Sequence, residues 1–240
     1  MAQPVRMHGR ISGIRDHLSG LRGLTIETSR RIPKFTPGQF LHLAIELHDP
    51  TGHWPESRVF SIASSPENRK EVEILFSQVG RFTQEMMRLQ VGDKVSVKLP
   101  YGEFIVETSW DNPVVIVAGG TGVVPFVSWL RTSSLEIFGP VRVLYGAKSS
   151  SALVFRDLIN DKSKNCDFLE WTSFVELDPQ DGDIRGKISL EATLKAAWDA
   201  GALEKARFYL SGPPAMIAFL KAGLFDAGVQ PDSVHVDVWD

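Results

Sequence analysis

Residues 114–125 read Val-Val-Ile-Val-Ala-Gly-Gly-Thr-Gly-Val-Val-Pro. The first four are apolar without alternation, which is typical of a strand buried on both faces of a parallel sheet. Gly119, Gly120 and Gly122 then predict a sharp turn, and Pro125 suits the first turn of a following helix. Such a strand, turn and helix direct unpaired N–H groups to one point, which favours a phosphate ligand over a turn with no ligand. The spacing matches neither Gly-x-Gly-x-x-Gly nor a P-loop. The stretch by itself therefore predicts a nucleotide-binding site but does not identify the nucleotide.

Composition and charge narrow the class of protein. The chain has 240 residues, enough for one large domain or two of ordinary size. A formal net charge of −3 argues against nucleic acid as the main partner. No apolar run reaches membrane-spanning length, and the first residues lack the apolar core of a signal peptide. One cysteine, Cys166, excludes an internal disulfide and an iron–sulfur cluster ligated by this chain alone. We therefore expect a cytoplasmic protein without a membrane span.

Residues 1–108 have the pattern of a small antiparallel β-barrel. Short apolar runs alternate there with turn signals such as Pro37-Gly38. One helix is predicted at 83–88, with Met86, Met87 and Leu89 available for the core. Residues 109–113, Ser-Trp-Asp-Asn-Pro, end the pattern and are predicted to form a linker. The predicted strands span 5–14, 21–28, 39–45, 58–63, 71–76 and 94–99.

Residues 114–240 alternate strands with helices, which predicts a doubly wound α/β domain with a five-stranded parallel sheet. The simplest strand order, 3-2-1-4-5, places the carboxyl ends of the first and fourth strands side by side. The glycine turn at 119–122 and the segment Ser211-Gly212-Pro213-Pro214 then meet at one crevice, where open α/β sheets bind their ligands. The predicted strands span 114–117, 141–145, 168–174, 207–210 and 234–239, and the predicted helices after the first turn span 151–161, 190–200 and 214–227.

Two further motifs lie in the predicted barrel. In Arg58-Val59-Phe60-Ser61 an arginine stands beside an aromatic residue, a combination that can bind a phosphate while the ring packs on a planar ligand. The same residues also fit an exposed arginine next to a core phenylalanine, and taken alone they favour that interpretation. Gly80, Phe82 and Thr83 open the predicted helix, where glycine followed by a hydroxyl residue forms either an ordinary N-cap or an anion site.

Five motifs, taken in their order along the chain, resemble the ferredoxin–NADP⁺ reductase family. The resemblance covers nearly the whole chain, and the ordered set is far more specific than any one motif. The motifs are Arg58-x-Phe60-Ser61, Gly80-x-Phe82-Thr83, Gly92-Asp93-x-Val95-x-Val97-x-x-Pro100-x-Gly102-x-Phe104, Gly119-Gly120-Thr121-Gly122-x-x-Pro125 and Ser211-Gly212-Pro213-Pro214.

The resemblance implies that residues 1–108 form an FAD-binding barrel and that residues 114–240 bind a nicotinamide nucleotide. It implies that Arg58 contacts the flavin phosphates, that Phe60 packs on the isoalloxazine ring, and that residues 80–83 hold the pyrophosphate. The implied catalytic residues are Ser61, near the flavin N5, and Ser211, beside the nicotinamide. The other implied cofactor-binding residues are Val59, Gly80, Phe82, Thr83, Gly119, Gly120, Thr121, Gly122, Pro125, Gly212 and Pro213. In such proteins the flavin supplies the redox chemistry, and the protein supplies position and electrostatics.

Two positions depart from the usual pattern of the family. Phe60 stands where the family usually has tyrosine, so the ring is kept and a hydroxyl contact is lost. Phe60 also occurs in the free-flavin reductases of the superfamily, which keeps that activity open. Ser211 replaces the usual cysteine, and we expect hydride transfer to survive this replacement at a reduced rate.

The choice between NADH and NADPH depends on charge near the ends of the second and third predicted strands. Lys148, followed by three serines, and Arg156 could favour the 2′-phosphate of NADPH. After the third strand, where NADPH-specific members of the family often have Ser-Arg, the chain has no arginine and carries the acidic Glu176. These residues favour NADH, with Lys148 and the serines as the opposing observation.

The expected function is transfer of electrons from a nicotinamide nucleotide through bound FAD to an external acceptor, such as a ferredoxin, a flavodoxin or an oxygenase component. An alternative is a reductase of free flavins or quinones. A third possibility is a non-catalytic electron-transfer subunit of a larger complex. The six histidines show no metal-binding spacing, so no metal site is predicted.

Trp239 stands one residue from the end of the sequence. In the family the chain often finishes with an aromatic residue that lies on the flavin ring, which implies the same place for Trp239. A tryptophan that caps the sheet edge or packs against the barrel is the alternative.

Overall fold

A computed structural model of the chain describes residues 3–17, 20–132 and 138–237. These residues form two compact units. The first unit comprises Met1–Ile105 together with Val124–Ser133, and the second comprises Val106–Val123 together with Ser134–Asp240. Among the described residues, no helix combines the length and the apolar character needed to cross a bilayer.

The first unit is a nearly closed antiparallel barrel, as predicted. Its six strands follow the order β4-β3-β6-β1-β2-β5, and the N–H of Ala63 donates to the carbonyl of Glu73 at 2.7 Å, which links the two edges of the sheet. Side chains that alternate along the strands, such as Leu41 and Leu43, fill the interior because neighbouring residues of a strand point to opposite faces. The elements are β1 (Val5–Asp16), β2 (Leu21–Thr28), β3 (Phe40–Ala44), β4 (Arg58–Ser61), β5 (Glu71–Ser77), α1 (Arg81–Met86) and β6 (Lys94–Tyr101).

The helix of the barrel begins two residues earlier than predicted. Gly80 occupies the N-cap position of α1, and the helix ends at Met86 instead of continuing to residue 88. Met86 and Leu89 are buried in the barrel core, and Met87 packs against its edge, as expected.

A helix from the second half of the sequence completes the first unit. This helix, α2 (Val124–Leu130), is buried along its whole length. The hydroxyl of Ser128 donates to the carbonyl of Ser64 at 2.8 Å, and Arg131 Nη1 lies 2.5 Å from Oε2 of Glu73. The segment 124–131 therefore packs as part of the barrel unit, although it follows the glycine turn directly in sequence.

The second unit is a doubly wound parallel sheet. The predicted order 3-2-1-4-5 is confirmed for the five expected strands, and the observed order is β10-β9-β8-β7-β11-β12. All six residues of β7 are buried, in agreement with the apolar run that predicted this central strand. The elements are β7 (Val114–Gly119), β8 (Val141–Ala147), α3 (Arg156–Lys164), β9 (Leu169–Val175), β10 (Ile184–Arg185), α4 (Leu190–Asp199), β11 (Arg207–Ser211), α5 (Pro214–Asp226) and β12 (Val234–Val236).

Three predictions about this unit were wrong in detail. The sheet has six strands, because β10 pairs with β9 through two exposed residues that carry no apolar pattern. The helix predicted at 151–161 begins only at Arg156, and a separate 3₁₀ turn at Ser150–Ala152 precedes it. The last strand, predicted to reach residue 239, ends at Val236.

Candidate functional site

The arginine that begins β4 lies against the short helix α1. The Cζ atom of Arg58 is 5.0 Å from the centre of the Phe82 ring, and its Nη2 is 2.8 Å from Oε1 of Glu56. The other oxygen of Glu56 accepts a hydrogen bond from Arg81 at 3.1 Å. The barrel therefore brings together two motifs that lie far apart in sequence. About half of the Arg58 side chain is exposed, 51%, so the guanidinium remains accessible to a ligand.

Thr83 closes the first turn of α1. Its Oγ1 accepts hydrogen bonds from the N–H groups of Val79 at 2.9 Å and Gly80 at 3.0 Å, so these two donors serve the turn itself. Gly80 has a φ of −147°, which any residue can adopt. A Cβ added at Gly80 would meet no atom within 4 Å. Neither the backbone nor the packing of the protein requires glycine here, and the open space leaves room for a ligand to approach the backbone.

Phe60 and Ser61 lie at the edge of the barrel core. The half-buried ring of Phe60 meets Phe76 edge to face, with 6.0 Å between ring centres. Ser61 is buried, with 7% of its surface exposed, and Val59 is half-buried. Phe60 therefore packs against core residues, as in the alternative of a core phenylalanine, but part of its ring remains exposed.

The two glycine turns of the second unit meet at the carboxyl ends of adjacent strands, as predicted. Ser211 of β11 pairs with Ala118 of β7. A Cβ added at Gly122 would lie 2.3 Å from the carbonyl oxygen of Ser211, so only glycine allows the turns to pack this closely. Gly120 differs: its φ is +55°, and a Cβ there would meet no atom within 4 Å. The backbone at Gly120 therefore faces open space, where a phosphate would fit.

A cavity of about 630 Å³ opens beside these turns within the second unit. Gly119 and Gly120 form its floor, α5 forms one wall, and the segments after β8 and β9 form the other. Its size is in the range that holds small ligands and cofactors. The larger side chains among its lining residues are Lys148, Glu176, Lys187, Ile188, Met216 and Phe219.

The charged groups of the cavity are only partly paired. Lys187 Nζ lies 3.8 Å from Oε2 of Glu176. Lys148 is exposed and makes no ion pair with any residue in the described part of the chain. Lys148 was predicted to bind the nucleotide, and the structure places it on the wall of the cavity.

Ser150 and Arg156, which follow Lys148 in sequence, bind to buried or loop carboxylates and do not line the cavity. Arg156 Nη2 lies 2.7 Å from Oδ1 of Asp183, whose side chain is fully buried, and Ser173 donates to the same oxygen at 2.5 Å. Burial alone would raise the pKa of Asp183, but the hydrogen bonds from Ser173, the Gln180 N–H and Arg156 outweigh it and keep the pKa below its usual value. The N–H of Ser150 donates to Asp178 at 2.7 Å.

This Asp183 cluster lies on the face of the sheet opposite to the cavity. Ser173 and Trp171 share one face of β9, and Trp171 donates to Asn160 of α3 at 2.9 Å. Phe174 points to the other face and packs with Ile188, which lines the cavity. Arg156 is therefore committed to Asp183, and it does not line the cavity that holds Lys148.

A buried pair formed by Ser211 and Asp237 was missed by the sequence reasoning. The hydroxyl of Ser211 donates to Oδ2 of Asp237 at 2.9 Å, and the two residues are 2% and 7% exposed. Burial raises the pKa of Asp237 to about 6, against the smaller opposing effect of the Ser211 hydrogen bond. No local pattern signals this pair, because its members lie 26 positions apart in sequence.

Two further predictions concern a metal site and the position of Trp239. In the part of the chain that the structure describes, no group of three or more His, Cys, Asp or Glu side chains could hold a metal ion. Trp239 lies outside the described residues, so its stacking on the flavin stays a prediction. The roles of the other named site residues also stay predictions.

Known proteins share both the sequence pattern and the fold. An oxidoreductase NAD-binding domain model matches residues 116–222. The reductase component of propane 2-monooxygenase from Mycolicibacterium goodii is 32% identical over 211 residues, which are 85% of this chain and 58% of that protein. The chain therefore contains an oxidoreductase NAD-binding domain and is similar over most of its length to a reductase component of an oxygenase. Another relative, the reductase component 1 of terephthalate 1,2-dioxygenase from Comamonas sp, is 25% identical over 86% of this chain and 60% of its own length.

Solved structures show the same fold over the full chain. A ferredoxin–NADP⁺ reductase from Neisseria gonorrhoeae with bound FAD and NADP has a TM-score of 0.77 at 18% identity, with 98% of each chain covered. The FAD/NAD-binding domain of nitric oxide dioxygenase from Vibrio cholerae has a TM-score of 0.79 at 18% identity, covering 97% of this chain and 98% of that one. By contrast, this chain spans 58% and 53% of the lengths of two propane monooxygenase reductase components.

Proposed function

We propose that this chain is a flavin-dependent NAD(P)H oxidoreductase that binds FAD and passes electrons to a separate acceptor. The observation that carries the proposal is the meeting of the glycine turns at 119–122 and 211–214 beside a cavity of about 630 Å³. Such a crevice, at the carboxyl ends of adjacent parallel strands, is where open α/β sheets bind nucleotides. The similarity to reductase components of oxygenases supports this chemistry.

The barrel supplies the groups that fit a flavin nucleotide. Arg58 presents a half-exposed guanidinium, which can bind phosphate oxygens through two parallel N–H donors. The space beside Gly80 is open, so a ligand can approach this turn closely even though the Gly80 N–H already donates to Thr83. The exposed part of the Phe60 ring suits contact with a planar ring system, and Ser61 is the candidate neighbour of the reactive flavin edge. When bound, FAD supplies the redox chemistry.

The α/β unit supplies the nucleotide site. Gly119, Gly120, Thr121 and Gly122 bind the pyrophosphate, helped by the open backbone at Gly120. Gly212 and Pro213 border the nicotinamide. Ser211, fixed by its hydrogen bond to Asp237, orients the nicotinamide side of the ligand.

We propose an oxygenase component as the acceptor class, because relatives over most of this chain are reductase components of monooxygenases and a dioxygenase. NADH is the proposed donor.

The single cysteine is a free thiol, which is typical of a protein in a reducing compartment such as the cytoplasm. The domain limits 1–108 and 114–240 remain part of the proposal. A reductase of free flavins and a non-catalytic subunit are the competing functions.

Flavin retention tests the proposal and separates these functions. We expect the purified protein to be yellow, to release FAD on heating, and to be bleached by NADH under anaerobic conditions. Colourless protein that reduces added flavin would support a free-flavin reductase. Retained FAD that no nicotinamide nucleotide reduces would support a non-catalytic subunit.

Arg58→Ala probes the binding site within the same experiment. Loss of charge-assisted hydrogen bonds to phosphate costs about 1.5–3 kcal/mol, so the variant should release flavin about 10- to 100-fold more readily on dilution. Arg10→Ala is the matched control, because Arg10 is an exposed barrel arginine paired with Glu27 at 2.7 Å. Equal flavin affinity in both variants would remove Arg58 from the site.

A further inference from the structure

One outer face of the barrel carries a row of basic side chains. Arg6 of β1 pairs with Lys98 of β6, and Lys98 pairs in turn with His42 of β3. These side chains point outward, because their neighbours along the strands pack in the barrel core. Arg30 extends the row, since its Nη2 donates to the carbonyl of Arg6 at 2.5 Å. We call the surface formed by Arg6, Arg30 and Lys98 the basic face.

The positive charge of the basic face is not neutralised within the protein. The Cζ atom of Arg6 lies 6.0 Å from the centre of the Trp54 ring, and Nζ of Lys98 lies 5.1 Å from the centre of the Tyr101 ring. A cation that packs over an aromatic ring keeps its full charge. Within residues 3–17, 20–132 and 138–237, none of the three cations of the basic face makes an ion pair.

His42 responds to the field of this face. Burial lowers the pKa of His42, and the positive charge of Lys98 lowers it further. The imidazole is therefore neutral at pH 7, and the charge of the basic face comes from Lys98 and the two arginines.

The charges of the barrel are distributed unevenly over its outer surface. Glu27, Glu71 and Glu73 occupy outward positions on β2 and β5, and β1 separates these two strands from β6 with Lys98. A chain with a formal net charge of −3 thus collects unpaired positive charge on one side of its barrel. Such a separation of charge orients an approaching protein of opposite charge.

The basic face lies on the same side of the sheet as Ser61. Phe40 of β3 pairs with Ser61 of β4, and His42 pairs with Val59. Residues that pair directly across antiparallel strands point to the same face. Neighbouring strands lie about 4.8 Å apart, so Lys98 is about 10 Å from Val59 across the sheet. A protein docked on the basic face therefore borders the residues that we propose to contact the flavin.

We propose that the basic face docks the electron acceptor, and that this acceptor is a protein that presents a cluster of carboxylates to Arg6, Arg30 and Lys98. The rings of Trp54 and Tyr101 lie beside the cations and supply apolar contact, and aromatic and arginine side chains are enriched at protein interfaces. Complementary charge speeds the encounter of two proteins more than it raises their affinity. This inference rests on the proposed function.

The double variant Arg6→Glu/Lys98→Glu in the FAD-bound protein tests the inference. The probe is an acidic [2Fe–2S] ferredoxin, and the measurements are its calorimetric Kd and its kcat/KM as acceptor with NADH as donor. We expect kcat/KM for the ferredoxin to fall at least about tenfold at low ionic strength. The difference should disappear in about 1 M salt, where the Debye length is only about 3 Å.

Reduction of a neutral quinone by NADH gives the second readout in the same variant. A variant that folds poorly would lose quinone and ferredoxin reduction together, whereas loss of docking lowers only the ferredoxin rate. Lys164→Glu/Lys205→Glu is the matched control, because it reverses two exposed lysines of the second unit and changes the net charge by the same amount. This control should keep the ferredoxin kinetics of the wild type.

The outcomes distinguish this inference from the proposed function. If the wild type does not bind the ferredoxin, or if the double variant binds and reduces it as the wild type does, the basic face is not the docking surface, while reduction of FAD by NADH still supports the oxidoreductase. FAD that no nicotinamide nucleotide reduces would count against the oxidoreductase, and the Kd for the ferredoxin would still decide whether the basic face binds an acidic protein.

An anionic membrane is the competing occupant of the basic face. Vesicles of phosphatidylglycerol test it by sedimentation. Wild-type protein that sediments with the vesicles and does not bind the ferredoxin, together with loss of sedimentation in Arg6→Glu/Lys98→Glu, would assign the face to a lipid surface and overturn the inference.

Discussion

Asp237 holds the hydroxyl of Ser211 in a setting that is nearly closed to water. The carboxyl group is 7% exposed and has a pKa of about 6, because burial disfavours its charged form. The folded protein therefore binds a proton at Asp237 at pH values where the unfolded chain, with a carboxyl pKa near 3.8, has released it. The stabilisation from this proton is complete below about pH 4 and is lost as the pH rises through about 6.

Asp237→Asn should remove this pH dependence, since the amide is neutral throughout and still accepts a hydrogen bond from Ser211. The free energy of unfolding of the wild-type protein, relative to the variant, should fall by about 2 kcal/mol from pH 4 to pH 7.5. Urea denaturation at a series of pH values measures the difference. The exposed Asp232, replaced by asparagine, is the control. Parallel pH profiles for the wild type and Asp237→Asn would contradict the raised pKa.

The acidic segment between β9 and β10 contains one buried carboxylate, that of Asp183, which connects it to neighbouring elements. Residues 176–183 read Glu-Leu-Asp-Pro-Gln-Asp-Gly-Asp, an acidic stretch with the composition of an exposed loop. In the structure Asp183 has no exposed side-chain surface, and it accepts hydrogen bonds from Arg156 of α3 and Ser173 of β9. One carboxylate thus joins a loop, a helix and a strand, and it positions the short strand β10 that leads to Lys187 and the cavity.

Asp183→Asn should destabilise the second unit by about 2–3 kcal/mol, because it leaves the partly buried Arg156 without its counter-charge. Thermal unfolding followed by circular dichroism measures the loss. Asp181→Asn, an exposed change in the same loop, should have an effect below about 0.5 kcal/mol. Since hydrogen bonds keep the pKa of Asp183 low, its contribution should persist above about pH 4 and disappear only in stronger acid. Equal stability of the two variants would show that the Asp183 carboxylate does not stabilise the second unit.

At the scale of the whole molecule, the compact units do not follow the sequence order. Helix α2 lies between β7 and β8 in the chain, yet it is grouped with the barrel. Ser128 donates to Ser64, and Arg131 contacts Ala63 and Glu73. Ala63 and Glu73 are the residues whose hydrogen bond links the two edges of the barrel sheet. The predicted limits 1–108 and 114–240 therefore leave out of the first domain a helix that packs in that unit.

A fragment of residues 1–108 checks these limits. Without α2 the fragment exposes apolar surface at residues 62–64, so we expect it to bind a hydrophobic dye and to unfold without a sharp transition, unlike the full chain. The full-length variant Arg131→Ala, which removes one α2 contact and keeps the chain intact, should lose only about 1–3 kcal/mol. Cooperative unfolding of the fragment, together with full FAD affinity, would support the predicted domain limits instead.

Much of the fold was predictable because its signals are local. The unbroken apolar run before Gly119 is typical of a strand covered on both faces, and the short punctuated runs before residue 108 favour a barrel. Connectivity rules predict the strand order, and this order brings the turns at 119–122 and 211–214 together. β10 could not be predicted, because two exposed residues carry no period that a pattern could reveal.

By itself the sequence determined the two-part architecture, the place of the nucleotide crevice and the motifs that resemble a reductase. Only the tertiary structure decided which polar groups are free to act there. It tied Arg156 to Asp183, Ser211 to Asp237 and Lys187 to Glu176, and it left Lys148 on the cavity wall. The physical reason is range: periodicity and turn chemistry operate within a few residues, whereas the partner and the burial of a charged side chain depend on segments that only the fold brings together.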